Sequence, residues 1–184
     1  SVHTEGGSVL WRGRNFYGVL RVVEHRGEGD DARRAQRRLY HGRVLHGAQW
    51  TVPGQELRPI TYFGETSGIG RALRTFRAGE PRLIGVIGLG AGSIAAYGTA
   101  QDHMRFFEID PAVVYCARKF FTFLSHSPAQ ISTVLGDARR QLLRERDGRF
   151  DVLVVDAFSG DSIPVHLITA EAVALYLTKL KPGG

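Results

Sequence analysis

The sequence predicts an α/β protein: a doubly wound parallel sheet preceded by a small antiparallel β domain. Three observations point there. From residue 83 onward, short apolar strands without polar alternation (LIGVIG 83–88, MRFFEI 104–109, ISTVLG 131–136, FDVLVVDA 150–157) alternate with helical stretches. Strands buried on both faces belong to parallel sheets covered by helices. Before residue 60, aromatic and β-branched residues recur between turn residues, the pattern of short antiparallel strands. The chain has 184 residues and is 43% hydrophobic, enough for one sizeable core, which excludes fibrous and disordered classes.

The elements follow in order. Residues 8–25 and 35–52 read as two pairs of strands, with a polar loop at 27–34 and a turn near His41-Gly42. Pro53-Gly54 and Pro59 then break the chain, so the β domain is assigned to 1–60 and the α/β domain to 61–184. Residues 67–79 are expected to be helical, with Ile69, Leu73 and Phe76 on one face. A glycine-rich turn follows the strand at 83–88, with a helical stretch to about residue 100. Pro111 opens a helix that runs to about Leu124. A charged helix is expected at 138–146 and a last helix at 169–180. That makes four β-α units; a complete sheet of this kind usually has further strands, so a sheet cut short after the fourth unit is expected.

Charge is unevenly spread. The net charge is +6, and residues 1–82 carry all of the excess, with 14 Arg against 8 acidic residues. Arginine bias alone does not indicate nucleic acid, and no nucleic-acid-binding motif accompanies it. The single Cys, Cys116, excludes an internal disulfide and a cysteine metal site. No apolar run reaches the length of a membrane span and no signal peptide opens the chain, so a cytoplasmic setting is expected. His41 and His46 lie five apart and would face opposite sides of a continuous strand; no histidine spacing suggests a metal site.

The chemistry-bearing residues gather at predicted strand ends. VIGLGAGSIAAYG (86–98) places Gly88, Gly90 and Gly92 between a buried strand and a helix start. Such glycines permit a tight turn, close approach of a ligand and close helix–strand packing. The spacing is one residue short of the dinucleotide form. Glu108 ends the next strand, 20 residues after Gly88, where a carboxylate can take both hydroxyls of a ribose. Asp110 precedes Pro111 and reads as a helix cap beside the site. Asp137 follows the third strand; it either bonds an adenine amino group or caps the next helix. Asp156 ends the fourth strand, and Asp161 lies five residues on in a Gly/Pro-broken loop. Ligands of doubly wound sheets bind outside the carboxyl ends of the strands, so these acids describe a nucleoside site with an acidic rim suited to an amine.

On LYHGRVLHGAQW (39–50), PITYF (59–63), VIGLGAGSIAAYG, FFEIDP (106–111), VLGDAR (134–139), VVDAFSGDSIPVHLIT (154–169) and LKPGG (180–184), the chain resembles the spermidine synthase, or polyamine aminopropyltransferase, family. The variant with HG-x-x-x-HG and DAFSGDSIP resembles the spermidine-synthase-like proteins, some of them fused to membrane-transporter-like segments. The resemblance implies an S-adenosylmethionine-methyltransferase type of Rossmann domain, decarboxylated S-adenosylmethionine as cofactor, a small-molecule amine such as putrescine as acceptor, no metal, and a homodimer. It implies that Gln49 contacts the nucleoside, Glu108 holds the ribose and Asp137 reads the adenine. Asp156 or Asp161 would sit by the amine, with Tyr62 helping to place it. Two positions depart from the family. Ala91 stands where the family's glycine loop has an Asp near the cofactor's amine, and Phe63 stands where a Gln usually follows the tyrosine. Losing one charged hydrogen-bond partner costs about 2–3 kcal/mol. Aminopropyl transfer is therefore the first expectation; methyl transfer from S-adenosylmethionine and a catalytically degenerate nucleoside-binding or structural domain are the alternatives.

Overall fold

The computed structural model describes residues 3–4, 7–26, 34–156 and 164–184. Two sheets form, in the predicted order. The first is an antiparallel meander of β1 (His3–Thr4), β2 (Gly7–Asn15), β3 (Gly18–His25), β4 (Gln36–His41) and β5 (Val44–Trp50), in sequence order across the sheet. Its inner face brings Leu20, Val22 and Leu39 into the main core, together with Ala91, Ile94 and Phe121 of the other layer. Arg12 sits opposite Arg21 on the outer face, and Arg21 lies over the Tyr40 ring at 5.5 Å. Part of the arginine excess is thus a solvated sheet face. Another part is structural: buried Arg82 pairs with Asp102 through two bonds of 2.9 and 2.8 Å and also donates to Leu73 O.

The second sheet is parallel: β6 (Leu83–Ile87), β7 (His103–Glu108), β8 (Gln130–Leu135) and β9 (Val152–Val155), in the order β8-β7-β6-β9. Ile84, Val86, Met104, Phe106 and Phe107 are almost completely buried, as strands covered on both faces require. Strand order reverses between β6 and β9, and that switch point sets where a ligand can lie. Helices α1 (Gly68–Thr75), α2 (Pro111–Phe120), α3 (Phe123–His126), α4 (Ala138–Leu142) and α5 (Ala170–Lys179) flank it. Ser67, Asp110, Asp137 and Thr169 cap the N-termini of α1, α2, α4 and α5 through their side chains, each satisfying an otherwise orphaned N–H. On α5, Val173 and Leu177 stay about half exposed or more. Among the described residues no helix is long and apolar enough to cross a membrane.

Four helices are shorter than periodicity suggests. The helix expected over 67–79 ends at Thr75: Phe76 is extended and Arg77 takes a φ of 46°. Between Gly92, at φ 85°, and Gly98, residues Ser93–Tyr97 make one 3-10 turn. Gly92 in the left-handed region and Gly98 in an extended conformation bound the segment at both ends, and short helical segments of this kind take the tighter turn. The expected helix from Pro111 to Leu124 breaks at Phe121-Thr122, and side chains of the antiparallel sheet supply the reason. Arg37 donates to Phe120 O at 2.6 Å, and Thr122 N donates to Gln49 Oε1 at 3.0 Å. These bonds occupy backbone groups at the break, so tertiary contacts override local propensity. The charged helix ends at Leu142, and turns follow it.

Candidate active site

All four strand ends of the parallel sheet open on one cavity of about 400 Å³. Its floor is the glycine loop after β6. Gly88, Gly90 and Gly92 all take left-handed φ values, 94°, 53° and 85°. Gly90 shows why no other residue fits: a Cβ there would lie 2.5 Å from His46 O. The loop is therefore wedged beneath β5. Ala91 points the same way. It is 1% exposed, and a Cβ on Gly47 would come within 2.6 Å of its methyl group. Ala91 is not among the residues lining the cavity.

Glu108, at the end of β7, lines the cavity and is 9% exposed. Its Oε2 accepts from Leu89 N at 3.0 Å and its Oε1 from Asp110 N at 2.9 Å. These bonds fix the carboxylate against the glycine loop. Burial pushes its pKa above the ordinary value, with the Asp110 charge adding to the rise and the amide donors opposing it. Asp110, 2% exposed, also lines the cavity. Its Oδ1 accepts from Asn15 Nδ2 at 2.6 Å and Ala112 N at 2.8 Å, while its buried Oδ2 has no hydrogen-bond partner. It is the helix cap that the sequence suggested and a cavity group as well.

Asp137 caps α4, accepting from Arg140 N at 2.8 Å, and its other oxygen lies 3.0 Å from His166 Nε2 at the rim. Asp156 follows β9, and its carboxyl is pushed up to about 7, first by burial and then by the Glu108 charge. Tyr62 is half-exposed, lines the cavity and packs on Phe63 with ring centroids 4.2 Å apart and planes tilted by 46°. It follows Thr61, whose φ of 66° is unusual for a β-branched residue and marks a backbone held by its surroundings. Burial, and then the Asp156 charge, hold the Tyr62 hydroxyl well above its ordinary pKa, so it remains a neutral phenol. Phe63 is buried in the core and its carbonyl accepts from Tyr97 Oη.

Gln49 stands apart. It is buried, it does not line the cavity, and its amide bonds Glu56 O at 3.0 Å and both the hydroxyl and the N–H of Thr122. Asp161 lies outside the described residues. Cys116 is fully buried in α2, and burial followed by the Asp110 charge pushes its thiol up to about 12; it is an inert core residue. No group of three or more His, Cys, Asp or Glu that could hold a metal occurs among the described residues.

Counting along the sequence missed the histidine pair. Gly42 reverses the chain, so His41 pairs with Val44, and His46 follows two residues later on the same face. The two rings pack at 5.2 Å, and both residues are among those lining the cavity. The separation of five residues placed them apart only because a continuous strand was counted through a turn. The signal that could have found them was the turn at His41-Gly42 itself.

A four-stranded parallel sheet with acids at its strand ends, beside an antiparallel sheet that roofs the cavity, is the fold of solved spermidine synthases. The structure matches a probable spermidine synthase from Corynebacterium glutamicum (TM-score 0.72, 20% identity, 98% of this chain and 62% of that one). It also matches spermidine synthase from Thermotoga maritima (TM-score 0.62, 17% identity, 94% of this chain and 54% of that one). In sequence, a polyamine aminopropyltransferase from Vibrio vulnificus is 37% identical over 97 residues, 50% of this chain and 32% of that protein. The chain is homologous to the spermidine synthase, or polyamine aminopropyltransferase, family. It spans about a third of the Vibrio protein and between half and two thirds of the two solved chains. No family model matches.

The packing of Ala91 gives a direct prediction. Ala91→Asp forces a carboxylate against the Gly47 backbone, combining overpacking with burial of a charge. We expect it to lower stability by about 3 kcal/mol in urea unfolding. Wild-type stability in this variant would mean that the side chain has another way out.

Proposed function

We propose that the chain carries an aminopropyltransferase site that takes decarboxylated S-adenosylmethionine and a small amine such as putrescine. One observation carries this reading. The charged side chains lining the cavity are Glu108, Asp110, Asp137 and Asp156, with no Lys or Arg among the described lining residues. In a chain of net charge +6, an all-acidic cavity favours a cationic ligand. A sulfonium bearing an ammonium tail fits that charge. A cofactor that keeps its carboxylate would meet four acids and no cation.

The residues present suit a nucleoside. Glu108 is held by two amides and lines the cavity, as ribose hydroxyls require. The bound sulfonium supplies an electrophilic methylene and a neutral thioether leaving group. The amine nitrogen forms a bond to that carbon as the carbon–sulfur bond breaks, and the bonding pair goes to sulfur. Asp156 accepts the proton that the attacking amine must lose, and Tyr62 orients the amine as a neutral hydrogen-bond partner. Burial of Asp156 makes it a stronger base than an exposed carboxylate.

The test is isothermal titration with decarboxylated S-adenosylmethionine, S-adenosylmethionine and methylthioadenosine, followed by a putrescine assay. Preference for the decarboxylated form, with turnover to methylthioadenosine, is expected. Preference for S-adenosylmethionine would move the reading to methyl transfer. A folded sample that binds none of the three would overturn both.

A further inference from the structure

The two edges of the parallel sheet are β8 and β9, with β7 and β6 between them. Asp137 follows the first edge and His166 follows the second, yet their side chains meet: His166 Nε2 lies 3.0 Å from Asp137 Oδ2. Both residues line the cavity. Both side chains stay within reach of a ligand, His166 with 50% and Asp137 with 24% of its surface exposed. The contact is well supported. The 3-10 turn Val165–Leu167 that carries His166 is gripped by two helices: Arg139 of α4 donates to His166 O at 3.3 Å, and Tyr176 Oη of α5 donates to Leu167 O at 2.9 Å. Leu167 packs in one buried cluster with Ala138, Ala172 and Tyr176.

A carboxylate only accepts, so His166 Nε2 carries the hydrogen of this bond. The other oxygen, Oδ1, accepts from Arg140 N at 2.8 Å. The Asp137 carboxylate is therefore held at both oxygens, and rotating it breaks one bond or the other. Each oxygen can accept a second hydrogen bond, and the lone pairs left over have a set direction. The strand order says what they meet. Glu108 ends β7, next to β8. With its ribose at Glu108, a nucleoside sends its base toward β8 and its sulfur toward β6 and β9, where Asp156 stands. Asp137 is then beside the base. An exocyclic amino group gives that carboxylate a donor; a carbonyl in the same place opposes it with another acceptor.

We propose that His166 is the positioning residue for Asp137 in base recognition: its Nε2–H fixes the carboxylate so that a free lone pair meets the exocyclic amino group of an aminopurine. This rests on the nucleoside part of the reading above and is the same for aminopropyl and for methyl transfer. It makes a side chain from beyond one edge of the sheet a determinant of the base accepted at the other edge.

The experiment titrates methylthioadenosine and methylthioinosine, which carries a carbonyl in place of the amino group, into wild type, His166→Ala, Asp137→Asn and the double variant. Asparagine caps a helix as well as aspartate does, so Asp137→Asn keeps the start of α4. Wild type should prefer methylthioadenosine. His166→Ala should reduce that preference about fivefold to tenfold, the size of one oriented hydrogen bond, while methylthioinosine affinity changes less than twofold. In the Asp137→Asn background the same substitution should alter the preference less than twofold, because the group it positions is gone. A merely structural role of His166 weakens both nucleosides equally, and that result overturns the proposal. So does a His166→Ala effect that persists undiminished in Asp137→Asn. Wild type that binds the two nucleosides equally also overturns it, with no variant needed, and leaves aminopropyl transfer standing. Failure of wild type to bind either nucleoside overturns both.

Discussion

Asp156→Asn is expected to slow aminopropyl transfer roughly a hundredfold to a thousandfold at saturating substrates, the usual loss when a proton acceptor is removed. Ligand affinity should fall far less. The pH dependence follows from the environment of Asp156. Its carboxyl ionises near pH 7 because it is buried and close to Glu108. As a base it works only when ionised, so the wild-type rate should climb from pH 6 to pH 8 with a midpoint near 7. The Asn variant should lose that limb. A wild-type profile flat across this range, or a variant within threefold of wild type, would remove Asp156 from the reaction.

The same substitution should raise stability. A carboxyl whose pKa is higher in the folded state than in the unfolded one makes folding less favourable once it ionises. That penalty is absent below the ordinary value of 3.8, grows as pH rises toward about 7, and is complete above it. The Asn side chain never ionises. Asp156→Asn should therefore be more stable than wild type by about 1–3 kcal/mol at pH 8, with the difference vanishing near pH 4 in urea unfolding. The proposed role of Asp156 would then be one held at a cost to folding, a common form of stability–activity conflict.

Glu108→Gln is expected to weaken nucleoside binding about a hundredfold. In the proposed site, two charge-assisted bonds to ribose hydroxyls would become at best one neutral bond. Titration of methylthioadenosine reads this loss directly. The variant carries a second signature. Removing the Glu108 charge makes Asp156 easier to ionise, so the acid limb of the rate should move to lower pH. A loss of affinity without that displacement would mean that the two carboxylates do not sense each other across the cavity. Affinity within threefold of wild type would take Glu108 out of the ribose contact.

What the sequence made legible follows from local rules. Unalternated apolar strands, the glycines after β6 and the acids at strand ends all express short-range requirements of a parallel sheet and its switch point. The antiparallel strands and the turn at Gly42 were equally visible. Features made by long-range contact were not. The break in the α2 segment depends on Arg37 and Gln49, more than 70 residues away. Nothing near Thr122 announces it. Gln49 reads as a ligand residue by resemblance, yet its side chain is engaged at that break. Ala91 looks like a simple loss in the glycine loop; only the position of Gly47 shows that the space for a larger side chain has closed. The His41–His46 pair emerges from a hairpin whose geometry converts a separation of five residues into one shared face.

The contact between Gly90 and the His46 carbonyl has a wider consequence. It joins the loop that forms the floor of the cavity to the strand that forms its roof; these belong to different sheets, and the two contacting residues lie 44 positions apart in the chain. The pocket exists only while the two sheets remain docked. Any molecule that binds between them acts as a reversible brace, and its binding free energy adds to the work needed to part them. The supply of cofactor would then set how firmly the two halves hold together.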